Sequence, residues 1–266
     1  MLPDEQREKR RESFNAVAAQ YDASRPGYPE AVFEDLAHLT SLRTHAHLLE
    51  IGSGTGHATL PFAERGYRID CIELGAEMAA VAQVKLAAFP NVTITVTDFD
   101  NWRNETRYDL SFSASAYHWL NPATRARSIA AQLAPGGHVA TLRNIHVLGE
   151  ASAKLNAATQ RIYAEVAPAL AQEAIPRAED VQSLDTQEWQ SSGLYRSAQS
   201  RAYRWTSKLT ARDYVRMLDT HSDHRLLPEK TREELFKRLI SLLGNEFGGV
   251  TVKEYVTLLQ LAEKIE

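Results

Sequence analysis

Short apolar runs alternate with stretches in which apolar residues recur every three or four positions, and the alternation persists through the first half of the chain. The runs at 47–51, 68–74, 93–97, 108–113 and 138–142 predict buried strands. The helical period over 58–65, 76–88 and 122–133 predicts the helices that connect them. Such alternation builds an α/β fold, a mostly parallel sheet covered by helices on both faces. Turn residues fall where that reading needs them: Phe89-Pro90-Asn91 ends one helix, and Ala134-Pro135-Gly136-Gly137 separates another from the fifth strand. Upstream, 5–21 reads as a helix that cannot continue through Arg25-Pro26-Gly27-Tyr28-Pro29, and 30–40 resumes a helix leading into the sheet. Downstream, the alanine-rich 151–173 favours a helix and is followed by polar positions to about 192. A strand at 200–205, helices at 211–218 and 228–243, and a last apolar strand at 255–261 complete the chain.

Composition narrows the class. Of 266 residues 44% are hydrophobic, enough for one large domain or one domain with an inserted cap. The formal charge is −4, with no block of five or more like charges, which argues against nucleic acid or a membrane surface as partner. The single cysteine, Cys71, cannot form an internal disulfide and falls in an apolar strand, as in a reducing compartment. The first fourteen residues are charged where a secretory signal is apolar, and nothing approaches the roughly 18 uninterrupted apolar residues of a membrane span. The expectation is a cytoplasmic protein, monomeric or homodimeric.

The densest chemistry lies in His47-Leu48-Leu49-Glu50-Ile51-Gly52-Ser53-Gly54-Thr55-Gly56-His57, a buried strand, an acid and three alternating glycines ahead of a helix. Glycines let the backbone turn tightly against a ligand, and open α/β sheets bind ligands at the carboxyl ends of their strands. A dinucleotide fingerprint wants its third glycine one residue later, where His57 stands. Glu73 ends the second strand, where a carboxylate can accept both hydroxyls of a ribose. Asp98-Phe99 ends the third, offering a carboxylate and an aromatic face to an adenine. A ligand-free tight turn and a helix-capping Asp98 are the plainer alternatives.

These residues together resemble the class I S-adenosylmethionine (AdoMet)-dependent methyltransferases of the small-molecule type. Their E-x-G-x-G-x-G signature stands here as Glu50 to Gly56. The resemblance implies a Rossmann-like seven-stranded sheet with a helical cap, and AdoMet as cofactor with S-adenosylhomocysteine as its product. It places Gly52, Ser53, Gly54 and Gly56 along the methionine end, Glu73 on the ribose, Leu74 and Met78 around the adenine, and Asp98 and Phe99 at its edge, with Asp100 a rival carboxylate. A bacterial subgroup of the family, resembling the methyltransferase 11 type, is similar also in Tyr21-Asp22-Ala23-Ser24-Arg25-Pro26-Gly27-Tyr28-Pro29, Tyr117-His118-Trp119, the Leu133 to Gly137 turn and Asp219-Thr220-His221-Ser222.

Methyl transfer from a sulfonium is an in-line displacement that needs positioning and exclusion of water rather than a protein nucleophile. Tyr21, Tyr28, Tyr117 and Trp119 are candidate aromatic walls, and Arg25, four residues after Tyr21, can pair with the methionine carboxylate. Ser115 opens the segment after the fourth strand and joins the cofactor set, while His118 is the candidate general base and His146 a further substrate group. His221 and His224 flank Asp223, but without a second matched pair they read as solvated loop residues and no metal is expected.

The expected organisation is N-terminal lid helices over 1–40, an AdoMet-binding core over 41–145, a helical cap over 146–196 and completion of the sheet over 197–266. The expected function is O-methylation of a carboxylate or hydroxyl on a small molecule. A nicotinamide-dependent oxidoreductase shares the sheet and the acid after strand two, but Glu50 and the early third glycine count against it. A non-catalytic AdoMet-binding module keeps the same pocket. A nucleic-acid methyltransferase is disfavoured by the charge, and by Ser115-Ala116-Tyr117-His118 standing where an N/D-P-P-Y/F tetrapeptide would be.

Overall fold

The computed structural model describes residues 15–171, 175–181 and 186–265. The alternating half runs α1 (Ala18–Ser24), α2 (Glu30–Leu39), β1 (His47–Ile51), α3 (Thr59–Glu64), β2 (Arg68–Glu73), α4 (Ala76–Lys85), β3 (Val92–Val96), β4 (Tyr108–Ala114), α5 (Arg125–Gln132) and β5 (Leu133–Val147). Then come α6 (Glu150–Val166), α7 (Thr186–Ser191), β6 (Tyr195–Thr210), α8 (Ala211–Asp219), α9 (Ser222–Arg225), α10 (Glu229–Glu246) and β7 (Val250–Lys264). The strands form one seven-stranded sheet in the order β3-β2-β1-β4-β5-β7-β6.

The ladders β1–β2, β1–β4, β2–β3 and β4–β5 are all parallel. Leu48 and Leu49 are successive and both fully buried, as a strand covered on both faces requires. Ile51 pairs with Ile72, and Glu50 pairs with both Cys71 and Phe112, so the loops after β1, β2 and β4 leave one edge of the sheet together. That register brings distant sequence segments to one crevice. Between β4 and β5 the register steps from Tyr108↔Leu133 to Leu110↔His138, so the Ala134-Pro135-Gly136-Gly137 turn bulges out of the ladder. A Cβ on Gly137 would lie 2.8 Å from the Tyr108 carbonyl oxygen, so this close approach needs glycine.

The chain divides into two compact units. One comprises Gly27–Asn144, Gln182–Tyr203 and Thr257–Glu266, and carries the glycine loop. Its cores gather Phe33, Leu48, Phe62 and Phe112 in one cluster and Leu49, Ile51, Tyr108 and Ile129 in another. The other comprises the described residues up to Pro26 with Ile145–Val181 and Arg204–Val256, and packs α6, α8 and α10 through Leu155, Tyr163, Tyr214, Leu218, Leu235 and Leu239.

Several boundaries differ from the sequence expectation. Residues 5–14 of the first expected helix lie outside the described residues; the rest is a 3₁₀ turn at Asn15–Val17 leading into α1, which runs on to Ser24 before Pro26. The expected helix over 151–173 stops at Val166, because Pro168 biases Ala167 out of the helical region; a 3₁₀ turn at Pro168–Leu170 follows, and 172–174 lie outside the described residues. Within the polar stretch, α7 is helical. Strands β5, β6 and β7 run to 15, 16 and 15 residues, well beyond the expected apolar segments. No helix among the described residues is long and apolar enough to cross a membrane.

Candidate active site

The loop after β1 is left-handed three times, at Gly52 (φ +71°), Gly54 (φ +56°) and Gly56 (φ +83°). A Cβ on Gly52 would stand 2.4 Å from the Ala116 Cβ, so the loop after β4 packs where only glycine leaves room. Glu73 braces the turn: its Oε2 accepts the Gly54 amide (2.7 Å) and its Oε1 the Gly75 amide (2.8 Å). Met78 lies beneath Gly54, while Leu74 keeps 39% of its surface exposed at the same edge.

Glu50 is fully buried at the end of β1. Thr59 donates to its Oε2 at 2.5 Å, with the Cys71 thiol at 3.8 Å. Burial, reinforced by the charge of Glu73, pushes the Glu50 carboxyl up to about 8, so it is largely protonated at neutral pH. Among the described residues, Glu50 Oε1 and the buried Thr55 Oγ1 have no hydrogen-bond partner.

Past β3, Asp98 Oδ1 accepts the Asp100 amide (3.0 Å), and Asp100 in turn accepts the Asn121 amide (3.2 Å). Phe99, expected to offer a face to a ligand, is 3% exposed and sits in the core with Ile51 and Ile72. Past β4, Ser115 has φ +57°, a conformation rare outside glycine and typical of functional strand ends. Its hydroxyl meets that of Tyr28 at 3.0 Å. Tyr28 is set by its turn, because Asn144 donates to the Gly27 carbonyl (2.9 Å) and accepts from Thr257 (2.6 Å).

Tyr117 is the centre of a packed network. Its hydroxyl donates to Glu188 (3.1 Å) and accepts from the Trp189 indole (2.9 Å), while Arg125 lies 4.3 Å over its ring and pairs with Glu188. Burial and the Glu188 charge hold its hydroxyl protonated. His118 packs on Trp119 at 4.5 Å between centroids. Desolvation of its ring, with the Arg143 and Arg125 charges, lowers it to about 4, although its edge remains exposed, so it is a neutral and weakly basic imidazole at pH 7.

Tyr21, Arg25 and His146 belong to the other unit. Arg25 lies 5.0 Å over the Tyr21 ring and donates to Thr220 Oγ1 (2.8 Å) and to the Thr220 carbonyl (2.9 Å). Two of the short sequence segments, 21–29 and 219–222, thus meet through one guanidinium. His146 lies 6.0 Å from the Tyr255 ring, and burial with the Lys253 charge lowers it to about 3. His224 is not the solvated loop residue the sequence suggested: it is 5% exposed, bonded through Nε2 to Tyr163 (2.7 Å) and through Nδ1 to Asp223 (2.7 Å). His221, Asp223 and His224 each bring one possible ligand atom within 4.8 Å of the others, but these bonds already occupy both nitrogens of His224.

A family model described as a methyltransferase domain matches residues 48–137, the stretch from β1 through the turn before His138. An uncharacterised methyltransferase of Bacillus cytotoxicus is 31% identical over 159 residues, spanning 58% of this chain and 72% of its own length. This chain belongs to the class I AdoMet-dependent methyltransferases. An uncharacterised methyltransferase of Mycobacterium bovis is 29% identical over 133 residues, half of this chain and 52% of the relative, so the chain spans about half the length of the curated relatives it matches first. The fold is shared with a type II methyltransferase structure from Anaeromyxobacter dehalogenans, at TM-score 0.59 and 16% identity over 90% of this chain and 97% of that one.

The surroundings of the acid and the Tyr117 network left no sign in the sequence. Thr59 and Cys71 around Glu50, and Glu188 and Trp189 around Tyr117, carry no motif. The one available signal was their type: a lone tryptophan and glutamate in an otherwise small, polar stretch.

Proposed function

We propose that the chain transfers the methyl group of AdoMet to a carboxylate or hydroxyl oxygen of a small-molecule acceptor. The observation that carries the reading is the pair of buried oxygens without partners, Glu50 Oε1 and Thr55 Oγ1, in a left-handed loop braced by Glu73. Buried polar atoms are nearly always satisfied, so atoms left open at the carboxyl edge of the sheet fit a polar ligand lying over the loop. The residues present suit AdoMet. Glu73, at the end of β2, accepts the ribose hydroxyls; the backbone of Gly52, Ser53, Gly54 and Gly56 lets the methionine end pass; Leu74 and Met78 flank the adenine, and Asp98 takes its edge.

When bound, AdoMet supplies a methyl group on a sulfonium whose charge vanishes as the group leaves. The protein's part is to hold the acceptor oxygen in line and exclude water, for which Ser115, Tyr28 and Trp119 supply hydroxyl and aromatic surface. The neutral His118 takes the proton of a hydroxyl acceptor; a carboxylate acceptor arrives ionised and needs no base. Calorimetric titration with AdoMet and S-adenosylhomocysteine, with NAD as control, tests the cofactor on the wild type and on Glu73→Gln. Both adenosyl ligands should bind the wild type, and the variant should bind them about tenfold or more weakly, the worth of a hydrogen bond to a charged group. Binding of NAD with none of AdoMet would overturn the reading.

A further inference from the structure

The two edges of the sheet differ in kind. At one end β6 carries Arg196, Arg201, Arg204 and Lys208 along its length and turns left-handed at Ser197, where φ is +53°. Charge and irregularity of this sort keep an edge from pairing with another chain. At the other end β3 has neither. From Asn91 to Thr97 the sequence is Asn-Val-Thr-Ile-Thr-Val-Thr, without a charge or a proline, and every residue of the strand itself is β-branched. Such residues favour paired, pleated strands.

The open side of β3 follows from its ladder with β2. The Ile69 amide donates to the Asn91 carbonyl (2.9 Å) and the Thr97 amide to the Glu73 carbonyl (2.9 Å), in a parallel register running from Ile69↔Val92 to Glu73↔Val96. Odd positions therefore aim their backbone groups at β2, and even positions aim theirs outward. The Val92 amide is taken by the Phe89 carbonyl (3.1 Å). Beyond the Val92 carbonyl and the backbone groups of Ile94 and Val96 lies no further strand among the described residues. The edge is also exposed: Thr93 and Thr95 face solvent, Val96 keeps 48% of its surface, and Val84 on α4, the helix packed against β3, keeps 81%.

The strand reads the same in both directions, Val92-Thr93-Ile94-Thr95-Val96. In an antiparallel pair with its own copy, about a twofold axis at Ile94, each residue meets its like: Ile94 opposes the copy's Ile94, Thr93 its Thr95 and Val92 its Val96. The outward groups then fall in register. Ile94 exchanges both bonds with its copy, and the Val96 amide reaches the open Val92 carbonyl across the axis. Cross-strand pairs of β-branched residues and of threonines are favourable, and no like charges meet. We propose that β3 is the surface at which two copies of this chain pair, joining their sheets edge to edge. A second copy fits this edge better than an unlike peptide, because the self-match covers every position of the strand and a twofold contact is satisfied by one surface. A strand pair of this length buries less than a standard interface of roughly 1,600 Å², so the dimer is a weak one, with a dissociation constant on the order of 10 µM.

Sedimentation equilibrium of the full chain from about 1 to about 200 µM tests the proposal, on wild type and on two double variants of the exposed threonines. Thr93→Lys with Thr95→Lys sets like charges opposite one another on both sides of the axis. Thr93→Glu with Thr95→Lys changes the same positions but sets opposite charges there. The wild type should dimerise as its concentration rises. The Lys–Lys variant should weaken the dimer by about tenfold or more, and the Glu–Lys variant should stay within about threefold of wild type. Urea midpoints near that of wild type show that β3 still folds in both variants. Amide exchange at Ile94 and Val96, which should slow in the wild type as the dimer forms, reads the same contact without any substitution. A wild type that stays monomeric to the top of the range would overturn the proposal, as would exchange at Ile94 and Val96 that dimerisation leaves unchanged. A dimer that neither variant weakens would place the contact elsewhere, and equal weakening by both would break the pairing about Ile94; either result overturns it too.

Discussion

The two units bury charge of opposite sign. In the unit of the glycine loop, the charge of Glu73 bears on Glu50, with the Thr59 hydroxyl and the Cys71 thiol on Glu50 and the Gly54 and Gly75 amides on Glu73. In the other unit, the charge of Arg25 bears on Lys253, the Lys253 ammonium faces the rings of Tyr214 and Tyr255, and Arg25 lies over Tyr21 and donates to Thr220. Each arrangement costs stability in the absence of a ligand. A fold whose cores are otherwise well packed keeps such costs where function requires them. The lesson of the contrast is chemical: one region holds carboxyls against hydroxyl, thiol and amide donors, and the other holds cations against ring faces and a hydroxyl.

The sharpest way to break this contrast is pH. The Glu50 carboxyl stands at about 8 against an ordinary 4.5, so between those values the folded state holds a proton the unfolded state has lost. Its contribution to stability is therefore greatest at low pH and falls as pH rises from about 4.5 through 8, by an amount on the order of 4 kcal/mol. Lys253 runs the other way. Burial, with the Arg25 charge, lowers it from 10.5 to about 8, so stability rises with pH across that window by roughly 3 kcal/mol. Urea unfolding at a series of pH values should show both slopes, and Glu50→Gln should flatten the fall between pH 5 and 8 while leaving the alkaline rise. A flat wild-type profile over pH 5–8, or a Glu50→Gln protein weaker than wild type at pH 8, would remove the acidic half of the comparison.

How much of this was legible in the sequence follows from how local each feature is. The glycine loop and its acid occupy eleven consecutive residues, 47–57, and the bulge before the fifth strand occupies four, so turn chemistry revealed both. The setting of Lys253 draws on the rings of Tyr214 and Tyr255, and Val252-Lys253-Glu254 reads as any half-exposed strand. The Tyr28–Ser115 hydroxyl pair spans 87 residues and leaves no local trace. Strand β6 went largely unseen because most of its positions remain partly exposed and it lacks an apolar face to alternate. Helix α7 escaped because its evident anchors are tertiary, Trp189 and Glu188 on Tyr117. His224 was misjudged for a related reason, since its burial against Tyr163 of α6 cannot be read from a spacing.

A smaller effect tests the rigidity of the acidic region. Gly52→Ala places a Cβ 2.4 Å from that of Ala116 on a backbone at φ +71°. Strain and overpacking together should cost about 3 kcal/mol in urea unfolding. The double variant Gly52→Ala, Ala116→Gly removes the clash but not the backbone strain, and should recover all but about 1 kcal/mol. No recovery would mean that the loops after β1 and β4 do not press on each other as described.

The smallest effect concerns His118, and it separates two ways a histidine can serve at the edge of this sheet. A base with the ordinary imidazole value would give a rate that climbs through about pH 6.5. Desolvation and the Arg143 and Arg125 charges hold His118 down at about 4, so it is already neutral at pH 5. Once an acceptor is known, kcat should accordingly be flat from pH 5.5 to 7.5, with its acid limb near 4, and Arg143→Met should shift that limb upward by relieving one of the two charges. A weak base contributes little proton-transfer drive, so His118→Asn should lower kcat by about tenfold or less, below the usual worth of general-base catalysis. An acid limb near 6.5 that His118→Asn abolishes would instead show the ring to be solvated during turnover, and would assign it the stronger role of general base.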